Sequence, residues 1–410
     1  MKSNNRYFIA ACGVILHLVL GSAYAWSVYR NPIMKDTGFS QSSVAFTFSL
    51  AIFCLGLSAA FMGRLVEKFG PRFTGTIAAI FYPLGHFISA FAIDQKELWM
   101  LYLGYGIIGG LGLGAGYITP VSMIMKWFPD KRGLATGIAI MGFGFAALLT
   151  SPIAQNLIKT QGVEKTFYIL SVVYFIIMIV VSQFLRKPTD EEFQELSKNS
   201  KKVKSKDFNS GILANDALKT REFYVLWLIF FINIACGLGI LSVVSPMAQE
   251  MTGMTAEKAA VIVGVIGIFN GVGRLFWASV SDYIGRPVTF SLLFVINILM
   301  SLSLISFTGQ TMFIIAMSLL MTCYGAGFSL IPPYLSDVFG DRELSAIHGY
   351  ILTAWAMAAL AGPMVLSVAY EMSKSYTTTL IVYITMYMLA LGVALRLRKS
   401  LKNKSFKTNS

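Results

Sequence analysis

Apolar residues run along this chain in long blocks. They do not follow the two-residue alternation of a half-buried strand, nor the 3.6-residue period of a surface helix. Blocks close to the roughly 20 residues that span a bilayer as a helix fall at 7–29, 41–63, 73–93, 97–120, 133–156 and 165–185. A second set falls at 222–247, 257–280, 288–307, 311–334, 344–369 and 376–396. Between the sets lies the longest hydrophilic stretch, 186–221, which is charged and has no apolar period. The pattern predicts an all-α membrane protein with twelve transmembrane helices in two six-helix bundles. Their expected limits are 1–185 and 222–410, joined by a cytoplasmic linker, 186–221, and followed by a basic cytoplasmic tail.

Charge sets the expected orientation. With the N-terminus inside, the inner segments hold 25 of the 33 Lys and Arg residues and the outer loops seven, Arg274 lying within a span. That bias places both termini and the linker in the cytoplasm of a multi-pass protein of the inner membrane. The start of the chain also reads as a signal peptide: a basic head, an apolar run, and the small-x-small "AYA" at 23–25. An uncleaved first span is the better reading, because the apolar run continues through "WSVY" and completes an even count.

Composition agrees. Of 410 residues, 56% are hydrophobic and 13% charged, against about 25% charged in a soluble domain. The net charge of +13 belongs to the loops rather than to one basic face, which excludes nucleic acid as a partner. Cys12, Cys54, Cys236 and Cys323 lie in apolar runs without disulfide or metal spacing. No metal, cofactor or catalytic constellation is expected, and so no enzyme.

The halves repeat. "GRLVEKFGPR" (63–72) follows the second span and "ASVSDYIGRP" (278–287) the eighth, with Glu67 and Asp282 215 apart. "GAGY" (114–117) in the fourth span matches "GAGF" (325–328) in the tenth at an offset of 211. Parallel repeats of this kind are a transporter architecture. Both loops resemble the G-x-L-x-D-[RK]-x-G-[RK]-[RK] signature of the major facilitator superfamily, with Glu67 for Asp and Pro71 at a basic position in the first copy. Arg64, Glu67, Asp282 and Arg286 are therefore candidate gating residues, their carboxylates placed to cap or pair across a helix end. The plainer reading is ordinary positive-inside loop chemistry. The glycines of "GYGIIGGLGLGAGY" mark close helix packing. No strand precedes them and no P-loop lysine follows, so they are not a nucleotide loop.

One residue stands apart. Arg274 interrupts an apolar or small-residue run from Ala259 to Ser281, at a cost of about 2.5–3.5 kcal/mol on insertion scales. It lies about 12 Å inward of Asp282, too deep for easy snorkelling. Glu250, Glu257 and Glu371 fall near the outer ends, so no acidic partner is expected at mid-depth. A substrate carboxylate is the simplest anion to recover the cost, gripped bidentately by the guanidinium. Asn270, one turn away, is placed to donate to the same substrate. The bland alternative is a structural arginine bonded to helix carbonyls. Three histidines, His17, His86 and His348, lie within spans, where a lone histidine is more often packed or bonded than a proton relay; His17 is the best relay candidate, because the first span should line the path.

Longer motifs carry a closer resemblance. "YAWSVYRNP" (24–32), "KWFPDKRGLATG" (126–137), "KDFNSGILANDALKTREFYVLW" (206–227), "FNGVGRLFWASVSDYIGR" (269–286) and "SDVFG" (336–340) resemble the oxalate:formate antiporter family, close to the monocarboxylate porters. The resemblance covers nearly the whole chain. It implies the major facilitator fold, with two pseudo-symmetric bundles and a small carboxylate bound between them. It implies that an arginine on the eighth span, here Arg274, holds the substrate, and that Tyr24, Tyr117, Tyr324 and Phe328 wall the pocket. The oxalate exchanger has Trp at the position of Tyr324 and Tyr at that of Phe328. Where family members hold a lysine on the eleventh span, this chain has Trp355, which argues against oxalate. The expected function is secondary transport of a small monocarboxylate, of lactate, pyruvate or formate size, by alternating access. Coupling is either anion exchange, favoured because a substrate-neutralised Arg274 crosses more easily than an empty one, or proton symport, for which the spans offer no clear carboxylate. The carrier is expected to work as a monomer in the bilayer. The alternatives are a drug or sugar exporter of the same fold and a non-transporting sensor. A sugar carrier should show paired polar residues across several spans, and a sensor an added signalling domain.

Overall fold

A computed structural model describes residues 3–198, 211–307 and 309–408. Eleven helices among the described residues are long and apolar enough to cross a membrane. One of them, Gln41–Asp94, has 54 residues, about 81 Å of helix against a hydrocarbon core of about 30 Å. It is two spans. Gly70 breaks it, with φ 83° and ψ 170°, a conformation that disfavours any residue with a Cβ. Pro71 then opens the next helix, where its missing N–H costs nothing.

The twelve spans are α1 (Arg6–Thr37), α2 (41–69), α3 (71–94), α4 (Leu98–Trp127), α5 (Arg132–Gln161), α6 (Val163–Gln183), α7 (Arg221–Thr252), α8 (Ala256–Ile284), α9 (Arg286–Ser306), α10 (Gln310–Phe339), α11 (Leu344–Ser373) and α12 (Tyr376–Thr408). Most outrun the hydropathy blocks, because a helix continues past the slab that hydropathy senses. Helix α1 narrows to a 3-10 turn at Gly21–Ala25, and α4 contains a π-helical stretch, Tyr102–Gly109.

The linker is less bare than its sequence suggests. It carries helices Asp190–Lys198 and Ala214–Ala217, while 199–210 lies outside the described residues. Thr189 and Glu192 bond each other's backbone N–H reciprocally, a capping box. Arg186 grips Glu192 through two bonds, at 2.7 and 2.8 Å, and holds that carboxyl down at about 2.

The repeat seen in the sequence is realised in the packing. A Cβ on Gly114 would lie 2.4 Å from the Leu55 carbonyl on α2, and one on Gly325 would lie 2.2 Å from the Asn270 carbonyl on α8. Glycine is required at both places because backbone meets backbone there. Helix α4 thus seats on α2 as α10 seats on α8. Within each half, α1 packs on α5 as α7 packs on α11. Between halves, α5 packs on α8 and α2 on α11, the pairing a pseudo-two-fold axis demands.

The halves are zipped on the face that carries Gly70 and Gly285. Hypothetical Cβ atoms on Gly63 and Gly349 would strike Ser345 and Ala59 carbonyls at 2.2 Å, and one on Gly133 the Ala278 carbonyl at 2.4 Å. The α5–α8 contact reaches Gly144 against Gly271. Towards the opposite face it is absent at Gly264 and Gly267, whose Cβ positions meet nothing within 4 Å.

Candidate substrate site

Arg274 lies where α5 and α8 meet, and it is fully buried. Its Nε donates to Asn270 Oδ1 at 3.3 Å, and its Nη1 donates to the Ile140 carbonyl of α5, in the other half, at 3.2 Å. The guanidinium carbon lies 4.9 Å from the Phe328 ring centroid and 6.0 Å from that of Phe143. No carboxylate among the described residues pairs with it.

These contacts correct the expectation that a substrate anion alone recovers the cost of the buried charge. A hydrogen bond from a charged donor contributes about 1.5–3 kcal/mol, and a desolvated cation–π contact about 2 kcal/mol. A carbonyl, an amide and two rings already offset the insertion cost. Asn270 accepts from Arg274 through Oδ1 and so positions it, while its amide N–H groups remain the donors expected to face a substrate. What stays without a hydrogen bond of good geometry is Nη2, which is buried, with the Tyr24 hydroxyl as the nearby group that interacts with the guanidinium.

Around that edge lie other orphans. The hydroxyls of Tyr24, Tyr117 and Tyr324 and the indole N–H of Trp355 are buried and make no hydrogen bond of good geometry, although the Tyr24 hydroxyl lies near enough to interact with Arg274 and Tyr324. Tyr24, Tyr117 and Tyr324 are electrostatic neighbours of Arg274 and of one another. Trp355 closes the wall, its ring centroid 4.7 Å from Phe328 and 5.2 Å from Tyr117. Each orphan left buried costs about 1–3 kcal/mol. Every one of them can donate: a guanidinium nitrogen, three phenols and an indole. The guanidinium and the indole can only donate, and the phenols can turn to donate with them, so an acceptor-rich anion satisfies all five, whereas a cation meets the charge of Arg274.

The seven residues expected at the site are therefore brought together, Tyr24 and Tyr117 from the first half and Asn270, Arg274, Tyr324, Phe328 and Trp355 from the second. Sequence reasoning missed Phe143. Its ring meets Tyr24 at 5.1 Å, Tyr117 at 5.5 Å and Trp355 at 6.1 Å. In "GFGFAALL" it carries no chemical signal, and only the crossing of α5 with α8 brings it to the centre. His348, to which the sequence assigns no role, is buried, with Nδ1 unpartnered and its ring 6.4 Å from Tyr117. His17 is fully buried and stacks on Tyr117 at 5.3 Å.

The four loop residues hold the zipped face. Asp282 accepts from the backbone N–H groups of Gly133 and Leu134, at 3.1 and 3.0 Å, and so caps α5 across the interface. Arg286 bonds Asp282 at 2.5 Å. Glu67 accepts from the Ser345 N–H at 3.0 Å at the start of α11, and pairs with Lys187 at 2.8 Å and Lys126 at 3.9 Å. Arg64 bonds Asn215 and Tyr350. A pair that the motif did not include, Arg132 with Asp341 at 2.8 Å, joins α5 to the loop after α10.

Residues 10–400 match the family model described as Major Facilitator Superfamily. The chain is 31% identical, over 87% of its length and 83% of the relative's, to the oxalate:formate antiporter of Oxalobacter formigenes. It is 24% identical, over 89% of its length and 77% of the relative's, to monocarboxylate transporter 4 of Gallus gallus. Among solved structures, that of a major facilitator transporter, FucP, superposes with a TM-score of 0.72 at 14% identity, covering 96% of this chain and 99% of that one. This chain belongs to the major facilitator superfamily: it is a multi-pass membrane transporter, not an enzyme.

Proposed function

We propose that the protein moves a small monocarboxylate across the inner membrane by alternating access, binding it between halves 1–185 and 222–410. The observation that carries this is the fully buried guanidinium of Arg274, which has no carboxylate partner among the described residues and is ringed by buried groups that can donate. The names of the relatives, which specify oxalate, formate and monocarboxylates, support the same substrate class.

A carboxylate seats one oxygen on Nη2. To grip both oxygens, the guanidinium gives up its bond to the Ile140 carbonyl, which is a tie between the halves. Substrate binding thus exchanges an inter-half bond for a bond to the ligand, and Tyr24, Tyr117 and Tyr324 supply further donors. Release towards the zipped face requires the Asp282, Glu67 and Arg132–Asp341 links to part. Two couplings fit this scheme: exchange for a second anion, and symport with a proton.

Uptake of labelled lactate, pyruvate and formate into proteoliposomes preloaded with the same anion tests the reading. Counterflow of at least one of them is expected, and none for a cationic drug or a neutral sugar. The reverse preference would sink it.

The zipped face is the cytoplasmic one in this reading, and both termini lie there. Reporters fused after Asn199 and at the C-terminus should both report cytoplasm, and one near Gln95 should report the outside. A mature chain beginning at Trp26 would show that the first span is cleaved instead.

A further inference from the structure

His17 occupies a position that a neutral imidazole does not satisfy. Its Nδ1 lies 2.8 Å from the Ala139 carbonyl on α5, and its Nε2 lies 3.0 Å from the Tyr117 carbonyl on α4. Carbonyl oxygens only accept. A neutral imidazole has one N–H and one lone pair, whichever tautomer forms. One nitrogen therefore donates well, and the other sets its lone pair against an oxygen at contact distance. An imidazolium donates on both sides and satisfies both carbonyls. The ring is held there by stacking on Tyr117 and by the edge of Phe143 at 6.1 Å.

The surroundings link that proton to the substrate. Arg274, from α8, is the charged group that acts on His17. His348 faces it from α11, and Tyr117 from α4. Helix α5 offers Ala139, Gly142 and Phe143, none of them ionisable. Tyr24 is the other titratable group that α1 brings to the site. No carboxylate is among these neighbours. A proton on His17 is repelled by Arg274 when Arg274 has no counter-ion. A carboxylate seated on Arg274 removes that repulsion, so anion and proton favour each other's binding, and by linkage the effect is reciprocal.

We propose that His17 is a proton-binding site, loaded together with the substrate anion, and that the carrier is therefore a proton:monocarboxylate symporter. This rests on the substrate reading above. In an open state, a proton from solvent forms an N–H bond at the unprotonated ring nitrogen while the anion seats on Arg274. After the halves rearrange, that N–H bond breaks to water on the other side and the anion leaves. One proton and one monoanion cross, with no redox change and no net charge moved.

The experiment uses the full-length protein in proteoliposomes with labelled pyruvate as the probe and a trapped fluorescent pH indicator. Counterflow is measured first, then net uptake with and without an inward proton gradient. In the parent, the gradient should raise net uptake severalfold, and the lumen should acidify in step with the label. In His17→Gln, which cannot become a cation, the gradient should no longer stimulate uptake, whatever the absolute rate. A variant that keeps the parental stimulation places the proton elsewhere and overturns the proposal. So does a parent that shows counterflow without gradient response or acidification. Absence of counterflow in the parent with pyruvate, lactate and formate overturns the substrate reading instead, and the symport with it. Should His17→Gln fail to insert, proton uptake is measured on mixing pyruvate with solubilised parent in weakly buffered solution. Uptake supports the site, and no uptake overturns it.

Discussion

Arg274→Lys should insert and fold normally yet take up the transported carboxylate about ten- to a hundredfold more slowly. The ammonium keeps the charge, so the electrostatic field of the site survives. It loses the planar fork, and with it the simultaneous reach to Asn270, to Ile140 and to the ligand. One charge-assisted hydrogen bond of about 1.5–3 kcal/mol corresponds to that loss at about 1.4 kcal/mol per tenfold. Uptake into proteoliposomes is the measurement, with size-exclusion behaviour of the purified variant as the control for folding. Near-parental uptake would assign Arg274 to structure alone, as a residue that ties α8 to α5.

Oxalate should compete at least about tenfold more weakly than a monocarboxylate for the parent protein. A dicarboxylate brings two charges, and one left unpaired in a buried site costs several kcal/mol. The site offers a single cation that can bond a ligand, the Arg274 guanidinium, since both ring nitrogens of His17 face backbone carbonyls, and the indole of Trp355 stands where members of the oxalate:formate antiporter family hold a lysine. That indole contributes one N–H and a wall against Phe328 and Tyr117. Trp355→Lys should reverse the order in part: oxalate competition strengthens and monocarboxylate transport weakens. A lysine leaves much of the indole's space empty and cannot pack on the two rings as the indole does, which limits the gain. The test is inhibition of labelled pyruvate uptake by oxalate in parent and variant. Equal competition in the parent would mean that a second positive group, protonated His17 or another, pairs with the second carboxylate.

The candidate site was legible in proportion to its chemical rarity. Arg274 declared itself because a guanidinium inside an apolar run is costly wherever it points. The tyrosines and Trp355 came from resemblance alone, since aromatic residues are common in membrane helices and their spacing does not distinguish wall from lipid face. Phe143 was invisible for the same reason. Arg132 and Asp341, 209 residues apart, gave no local hint that they would meet. Asn270 was legible as a neighbour of Arg274, but its Oδ1 contact was not, because sequence spacing reports which side chains are near and not which atom accepts.

The sequence by itself determined the number of spans, their grouping into two repeats and the loop turns at Gly70 and Gly285. Those features follow from local physics: backbone polar groups in lipid must be satisfied within the helix, and a positive φ calls for glycine. It also determined that one arginine would lie inside an apolar helix long enough to cross a membrane. The tertiary structure alone decided what surrounds that arginine. It closed α5 on α8 so that the Ile140 carbonyl takes one N–H and Nη2 is left without a well-formed bond. It set His17 between two carbonyls that belong to different helices. Both outcomes depend on the angle and depth at which distant helices cross. Those are fixed by close packing such as Gly144 on Gly271, summed over the whole interface rather than encoded in any one stretch of chain.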